Sequence, residues 1–434
     1  MITPPAMAMI SRRTRAEVID IGDTEAVTDR RRSPLNLNVL LGAVEAAPPV
    51  AAAEVVGDAL SEALGARDVS FLIADYSGQS LIRLSHRPRA GNAAARGREL
   101  SASVPLSGTP QGRALAEQKV QIVTEDDGAR LFAPVTSRGE AVGVLELMVD
   151  ATPDEQTIAG VALAAHALAY VVIANRRFTD LYEWGQRSLP LSLEAEIQHR
   201  LLPSSYTLEA GQFTLAGWLE PAGDVGGDTF DFSLERDTLH LSMTDAMGHT
   251  LNAALLATVL VGALRNARRR GVELAEQAAI AHRTLAGYAQ DEEFVTGQLV
   301  RIDLPSGTAA VVNAGHPAPI RIRDGHAEHV ALMADLPFSA SPSGAYRVQE
   351  LGLRAGDRLV FLTDGILERN AAAIDAMSIL TASRHLHPRE AVQDLTRRVV
   401  EACDGELRDD ATILCLDWHG GPPRLRQASE GADR

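Results

Sequence analysis

The stretch GGDTFDFSLERDTLHLSMTDAMGH, Gly226 to His249, constrains the fold more than any other part of the chain. Two runs of alternating apolar residues flank the polar turn ERD, the pattern of a β-hairpin with one buried face. Pairing Leu234 with Leu239 sets Phe232 against Leu241, Phe230 against Met243 and Asp228 against Asp245. Both carboxylates then stand on the face that carries the Phe, Leu and Met row. Directly opposed side chains lie about 5 Å apart at Cβ, where like charges destabilise a sheet. A hairpin that sets two acids together at the rim of its own core needs something to neutralise them.

Two further acidic sites sit at strand ends. DRLVFLTDG reads as a buried strand, Leu359 to Leu362, ending in Asp364 and a glycine turn. In RDDATILCLDW, Asp409 and Asp410 precede a strand from Thr412 to Leu416. The start of one antiparallel strand lies beside the end of its neighbour, so Asp228, Asp245, Asp364 and Asp409 can all line one edge of a sheet or sandwich. Which strands are neighbours stays open at this stage. Oxygen-only donors with no basic partner in these motifs suit Mg²⁺ or Mn²⁺ rather than zinc. Four carboxylates can hold two such ions about 3.5–4 Å apart and ready a water for in-line attack on phosphorus. Gly226, Gly227, Gly248 and Gly365 let backbone approach the ions. After Asp245, AMGH opens the helix LNAALLATVLVGALR, whose first amides would favour a phosphate.

The 434 residues suffice for two or three domains, and a net charge of −16 argues against nucleic acid or an anionic membrane as the main partner. Cys403 and Cys415, the two cysteines, make neither a disulfide framework nor a zinc site, which points to a cytoplasmic location. MITPPAMAMISRRTR has no apolar run long enough for a signal peptide. Ile158 to Ala174 is short for a membrane span, rich in alanine and carries His166 at its middle; it reads as a buried helix continuing into NRRFTDLYEW.

Residues 1–36, with the basic runs SRRTR and DRRRS, read as a disordered arm. Residues 37–181 read as helix, strands, helix. A helix is expected over Val39–Leu64, a hairpin turning at Tyr76-Ser77-Gly78, a second turning near Arg138-Gly139, and a long helix from Pro153. This element order resembles a GAF sensor domain, which implies an unidentified small-molecule or protein signal. The absence of cysteine there excludes a thioether-linked bilin, and His86 and His166 read as packing or surface residues. In the long helix Ile158, Val161, Ala165, Leu168, Val172 and, after a skip, Leu181 are spaced for a homodimer seam, or equally for covering their own sheet. Pro190 breaks the pattern, and LEAEIQHRLLP completes a helical linker, 182–203. Residues 204–418 carry the acidic motifs, and 419–434 read as a disordered tail.

PAGDVGGDTFDF, TDAMGHTLNAALLA, FVTGQLVRIDLPSGTAAVVNAGHPAP, GDRLVFLTDGILE and DDAT follow in an order and spacing that resemble the PPM (PP2C-like) serine/threonine protein phosphatases, in the SpoIIE/RsbU branch. EIQHRLLPSS resembles the segment that leads into that domain. The resemblance implies an α+β chain: a GAF-like domain, a helical linker and a PPM αββα sandwich of two antiparallel sheets flanked by helices. It implies two Mn²⁺ or Mg²⁺ ions, with Asp228 bridging them and Asp245 and the Ala246 carbonyl beside it. Asp364 and Asp409 complete the other side, and Asp410 and Asp231 are auxiliary ligands. His249 would assist the leaving group near neutral pH; a purely structural role for His249 or His316 stays open. Thr250 stands where the family commonly has glycine, its aromatic plus acid after GGD is met by Thr229-Phe230-Asp231, and no phosphate-gripping arginine precedes GGD. The implied substrate is a phosphorylated protein, a STAS-type anti-anti-sigma factor supplied in trans.

GGDTF also resembles the GGDEF signature of nucleotide cyclases, but Thr229 replaces the required glutamate and the other acids would go unexplained. A catalytically silent dimeric scaffold that binds a partner through its phosphatase-like domain would be expected to lack a metal-ligand position, and none is missing.

Overall fold

Asn36 starts the first described element. Its Oδ1 accepts from the amides of Asn38 and Val39 at 3.0 and 3.4 Å, capping α1 (Leu37–Ala46). The computed structural model describes residues 35–86, 103–187, 191–222, 226–248, 251–290, 292–366, 374–404, 407–422, 428–429 and 431–433. Most of the expected arm therefore lies outside the described residues. The single helix expected over Val39–Leu64 is two: a 3-10 turn at Pro49–Ala51 separates α1 from α2 (Ala52–Leu64). Pro48 and Pro49 remove two amide donors, and each drives the preceding residue out of helical geometry.

Six strands follow: β1 (Arg67–Ala74), β2 (Ser80–His86), β3 (Ser103–Pro105), β4 (Gln121–Glu125), β5 (Gly128–Ser137) and β6 (Glu140–Val149), with α3 (Pro110–Glu117) before β4. They form one antiparallel sheet in the order β3-β2-β1-β6-β5-β4. The β5–β6 turn is the expected Arg138-Gly139 pair, both at positive φ (51° and 80°), as a two-residue hairpin loop demands. Next comes α4 (Glu155–Asn175), whose Val161, Ala165, Leu168 and Val172 share a core with Phe71, Leu131 and Leu147 of the sheet. Of the two readings of that spacing, the structure favours a helix covering its own sheet, because these side chains are already buried there. By length and composition α4 could cross a membrane, but half of its apolar window is buried within the protein. Its expected continuation ends at Asn175. Phe178 N donates to Asn175 O at 2.9 Å and Leu181 N to Thr179 Oγ1 at 3.1 Å, local bonds that turn the chain instead. Two short helices, α5 (Leu181–Gly185) and α6 (Leu193–Leu201), lead onward, the second capped by Ser192 Oγ.

The remainder is two antiparallel sheets packed face to face. One orders β15-β12-β11-β10-β9 from β9 (Asp228–Leu234), β10 (Thr238–Ala246), β11 (Val295–Asp303), β12 (Thr308–Ala314) and β15 (Gln349–Gly352). The other orders β14-β13-β16-β17-β8-β7 from β7 (Thr207–Glu209), β8 (Phe213–Glu220), β13 (Ile320–Arg323), β14 (His326–His329), β16 (Asp357–Leu362) and β17 (Ala411–Trp418). Phe230, Leu241 and Met243 of the first meet Leu215, Phe361 and Leu414 of the second in one core. Helices α7 (Leu251–Arg269) and α8 (Leu274–Ala286) cover the first sheet. Helices α9 (Ala376–Ala382) and α10 (Pro388–Ala402) cover the second. The tail is not wholly irregular as expected: β18 (Ala428–Ser429) pairs with β19 (Ala432–Asp433).

The β5–β6 turn joins the two halves. Glu140 Oε2 accepts from the amides of Tyr206 and Thr207 at 3.1 and 2.7 Å. The Arg138 carbonyl accepts from Glu209 N at 3.1 Å, and Arg389 Nη1 donates to the Gly139 carbonyl at 2.5 Å. A Cβ on Gly139 would lie 2.7 Å from the Glu209 side chain. Gly139 N also donates to Gly431 O of the tail at 3.0 Å.

Candidate metal centre

The hairpin forms in the expected register. Leu234 pairs with Leu239, Phe232 with Leu241, Phe230 with Met243 and Asp228 with Asp245. Glu235 N donates to Thr238 O at 2.8 Å and closes the turn. Alternation sends Phe230, Leu241 and Met243 into the space between the sheets and places Asp228 at the end of that row, only 3% exposed.

The second sheet brings the other acids. Leu362 pairs with Ile413, and a bond from Thr363 N to Thr412 O at 3.1 Å extends the ladder one step. Asp364 therefore leaves β16 beside the Asp409-Asp410 start of β17. A Cβ on Gly365 would lie 1.9 Å from the Asp410 carbonyl oxygen, so only glycine lets this turn pass so close. Thr412 Oγ1 donates to Asp228 Oδ2 at 2.6 Å across the gap between the sheets. The acids expected along one edge come from the edges of two sheets, Asp228 and Asp245 from one, Asp364 and Asp409 from the other.

Burial pushes the Asp228 carboxyl well above the ordinary carboxylate range, and Asp245 and Asp410 push it the same way; the Thr412 and Thr363 hydroxyls oppose the shift. Among the described residues, no three His, Cys, Asp or Glu side chains converge closely enough to hold an ion as they stand. The donor chemistry nonetheless fits a hard cation: carboxylate oxygens, one of them deeply buried and destabilised by its acidic neighbours.

Asp410 and Asp231, expected as auxiliary ligands, have other partners. Asp410 Oδ1 accepts from Ala222 N at 3.0 Å, and Oδ2 accepts from Gly227 N at 3.2 Å and Gln198 Nε2 at 2.5 Å. It anchors Ala222 and Gly227 ahead of β9. Asp231 lies three residues along β9, hence on the opposite face from Asp228. It accepts from Arg265 Nε and Nη2 at 3.1 and 3.0 Å and from Arg268 Nη1 at 3.0 Å, both on α7. Pleat alternation removes it from the acidic centre. Ala246 N donates to Gly227 O at 3.2 Å, and its carbonyl lies 2.6 Å from where a Cβ on Gly227 would stand.

His249 and Thr250 lie outside the described residues. His316 is buried, with Nδ1 2.9 Å from Thr296 Oγ1, and Thr296 pairs with Asp245 across β10 and β11. Burial pulls its pKa down to about 4, opposed only in part by the Leu362 carbonyl. A buried neutral imidazole bonded to Thr296, the cross-strand partner of Asp245, fits the structural reading of this residue. Sequence reasoning missed Gln198, Thr363 and Thr412, although the last stands within DDAT and the first within the EIQHRLLP lead-in. A cavity of about 1490 Å³ lies elsewhere, lined by α5, α6, α10 and the β1–β2 turn, and includes none of the four aspartates.

Residues 235–419 match the family of stage II sporulation protein E, SpoIIE. Phosphoserine phosphatase RsbU of Bacillus subtilis is 20% identical over 236 residues, 52% of this chain and 69% of that protein. Among solved structures, the RsbU and RsbW domains of a Mycobacterium tuberculosis protein are 23% identical with a TM-score of 0.46, covering 51% of this chain and 64% of that one. The PP2C phosphatase domain and a regulatory fragment of SpoIIE from Bacillus subtilis are 21% identical with a TM-score of 0.41, covering 48% and 65%. The chain thus spans less than two thirds of either solved chain. The C-terminal half of the chain carries a SpoIIE-type phosphatase domain, and its homologues are PPM-family serine/threonine phosphatases.

Proposed function

We propose that the chain is a metal-dependent protein serine/threonine phosphatase whose C-terminal sandwich hydrolyses a phosphoserine or phosphothreonine ester on a protein supplied in trans. One observation carries this reading: Asp228, the cross-strand partner of Asp245, accepts from Thr412, which lies three residues past Asp409 and bonds through its carbonyl to Thr363, the residue before Asp364. Asp228, Asp245, Asp364 and Asp409, with the Ala246 carbonyl, would hold two Mn²⁺ or Mg²⁺ ions. Bound there, the ions supply a readied water and offset charge on the phosphoryl oxygens. Thr412 fixes one Asp228 oxygen, and Asp410 holds the amides of Ala222 and Gly227 ahead of it.

The substrate we favour is a STAS-type anti-anti-sigma factor in the cytoplasm, in keeping with the RsbU-like relatives. We read the N-terminal domain as a GAF-like sensor, supported by the sheet order β3-β2-β1-β6-β5-β4 and its helical cover. Its signal would reach the sandwich through α5, α6 and the β5–β6 joint. Phosphate release from a phosphoserine protein with Mn²⁺ tests the activity: absence of metal-dependent turnover across several such substrates, or full activity in Asp364→Asn, overturns it. If a chain beginning near Ser192 folds and matches the full chain in rate and effector response, the sensor reading fails.

A further inference from the structure

Gln198, on α6, is 1% exposed and reaches into the acidic centre from outside both sheets. Its Nε2 donates to the Asp228 carbonyl at 2.9 Å and to Asp410 Oδ2 at 2.5 Å. One amide nitrogen thus spends both hydrogens on the first residue of β9 and on the residue before β17. Those two strand starts belong to different sheets and carry opposite sides of the acid cluster. Gly227 N and Thr412 Oγ1 also span the gap, at 3.2 and 2.6 Å, but both belong to the segments being joined.

The helix that carries Gln198 is gripped by its neighbours. Arg200 donates from Nη1 and Nη2 to the Glu183 carboxylate at 2.8 and 2.6 Å, and Arg187 pairs with Glu196 at 2.7 Å. The His199 ring lies 4.4 Å from that of Tyr76, in the β1–β2 turn of the N-terminal domain. Arg265 Nη2 donates to the Leu201 carbonyl at 2.5 Å.

We propose that Gln198 is a positioning residue for the acidic centre: by bridging Asp228 and Asp410 it sets the separation of the two strand starts on which divalent-cation affinity depends. Through it, the placement of α6 against the N-terminal domain is felt at the acids. The inference rests on the metal-dependent reading above. Side chains that orient ligands without touching the metal typically change affinity or activity by about 10–100-fold.

The test is calorimetric Mn²⁺ titration of the full-length protein and of Gln198→Ala, Gln198→Glu and Leu202→Ala. Gln198→Ala should weaken Mn²⁺ binding about tenfold while KM for a phosphoprotein at saturating Mn²⁺ stays within about twofold. Gln198→Glu keeps the shape but sets a carboxylate against Asp410, and should weaken binding further. Leu202→Ala removes buried apolar volume at the same helix end and should lower Tm without moving the affinity. Wild-type affinity in both Gln198 variants, or an equal loss in Leu202→Ala, overturns the positioning role while leaving the metal reading intact. No Mn²⁺ uptake by the wild-type protein overturns both.

Discussion

Asp228 and Asp245 stand as direct cross-strand partners at the open end of the sandwich, and Thr412 of the opposite sheet donates to Asp228 at 2.6 Å. A buried carboxyl next to another acid is a cost to the metal-free fold and a benefit once a cation arrives. That opposition between stability and function can be measured.

Asp228→Asn should raise the Tm of the metal-free protein, because a neutral amide removes the burial and acid-neighbour penalty on the carboxylate and still accepts from Thr412. Mn²⁺ binding and phosphatase activity should fall at least about a hundredfold. Thermal melts with and without Mn²⁺ read both effects. A lower Tm in the metal-free state, together with intact metal uptake, contradicts the account.

Asp231→Asn separates structural from functional acids on the same strand. Arg265 and Arg268 would lose their shared carboxylate at a largely buried site, a change worth about 2–4 kcal/mol. Mn²⁺ affinity should stay at the wild-type value, since Asp231 faces α7. Denaturant unfolding beside a metal titration checks this, and lost affinity in a folded variant would restore Asp231 as a ligand.

Glu140→Ala should loosen the joint between the halves. Two amides, Tyr206 N and Thr207 N, would be left without their acceptor, at a cost of about 2 kcal/mol. Hydrogen exchange at residues 206–207 should accelerate, while exchange within β10 and β11 stays slow. Uniform exchange changes across the chain would mean that the joint is not a separable contact.

Acid stability has a component of known sign. His316 titrates near 4 in the folded protein against an ordinary 6.5, so the unfolded chain binds its proton first as pH falls. Stability from this residue is complete above about 6.5 and is lost as pH drops toward 4, on the order of 3 kcal/mol in all. Glu220 acts in the opposite sense: burial raises it to about 7 from 4.5, so its contribution fades as pH climbs between those values. Unfolding free energies from pH 4 to 8 should lose a rising component between about 4 and 6.5 in His316→Asn, and a falling component between about 4.5 and 7 in Glu220→Gln. Unchanged slopes would place both groups in water.

Local sequence carried the hairpin register, the Arg138-Gly139 turn and the strand ends at Asp364 and Asp409. Each follows from two-residue alternation or from a turn that tolerates positive φ, and both are properties of neighbouring residues. The break at Pro48-Pro49 was legible by a different local rule, proline's missing amide and its restriction of the preceding residue, against the apolar pattern around it. The end of α4 was less legible, because Asn175 and Thr179 stop it with bonds that compete only weakly with helix.

Pairings between distant segments were another matter. Alternation puts Asp231 on the face opposite Asp228, but what waits there is a pair of arginines 34 and 37 positions along the chain. Gln198 meets Asp410 across 212 positions, and Thr412 meets Asp228 across 184. Sequence alone therefore determined which acids end strands and which of them share a face, since backbone geometry repeats every two residues. Only the tertiary structure decided which sheet each acid serves, which carboxylates are bound by arginine or amide, and which helix reaches into the centre. Those choices depend on how two sheets and their covering helices pack, and packing brings together groups that no local spacing relates.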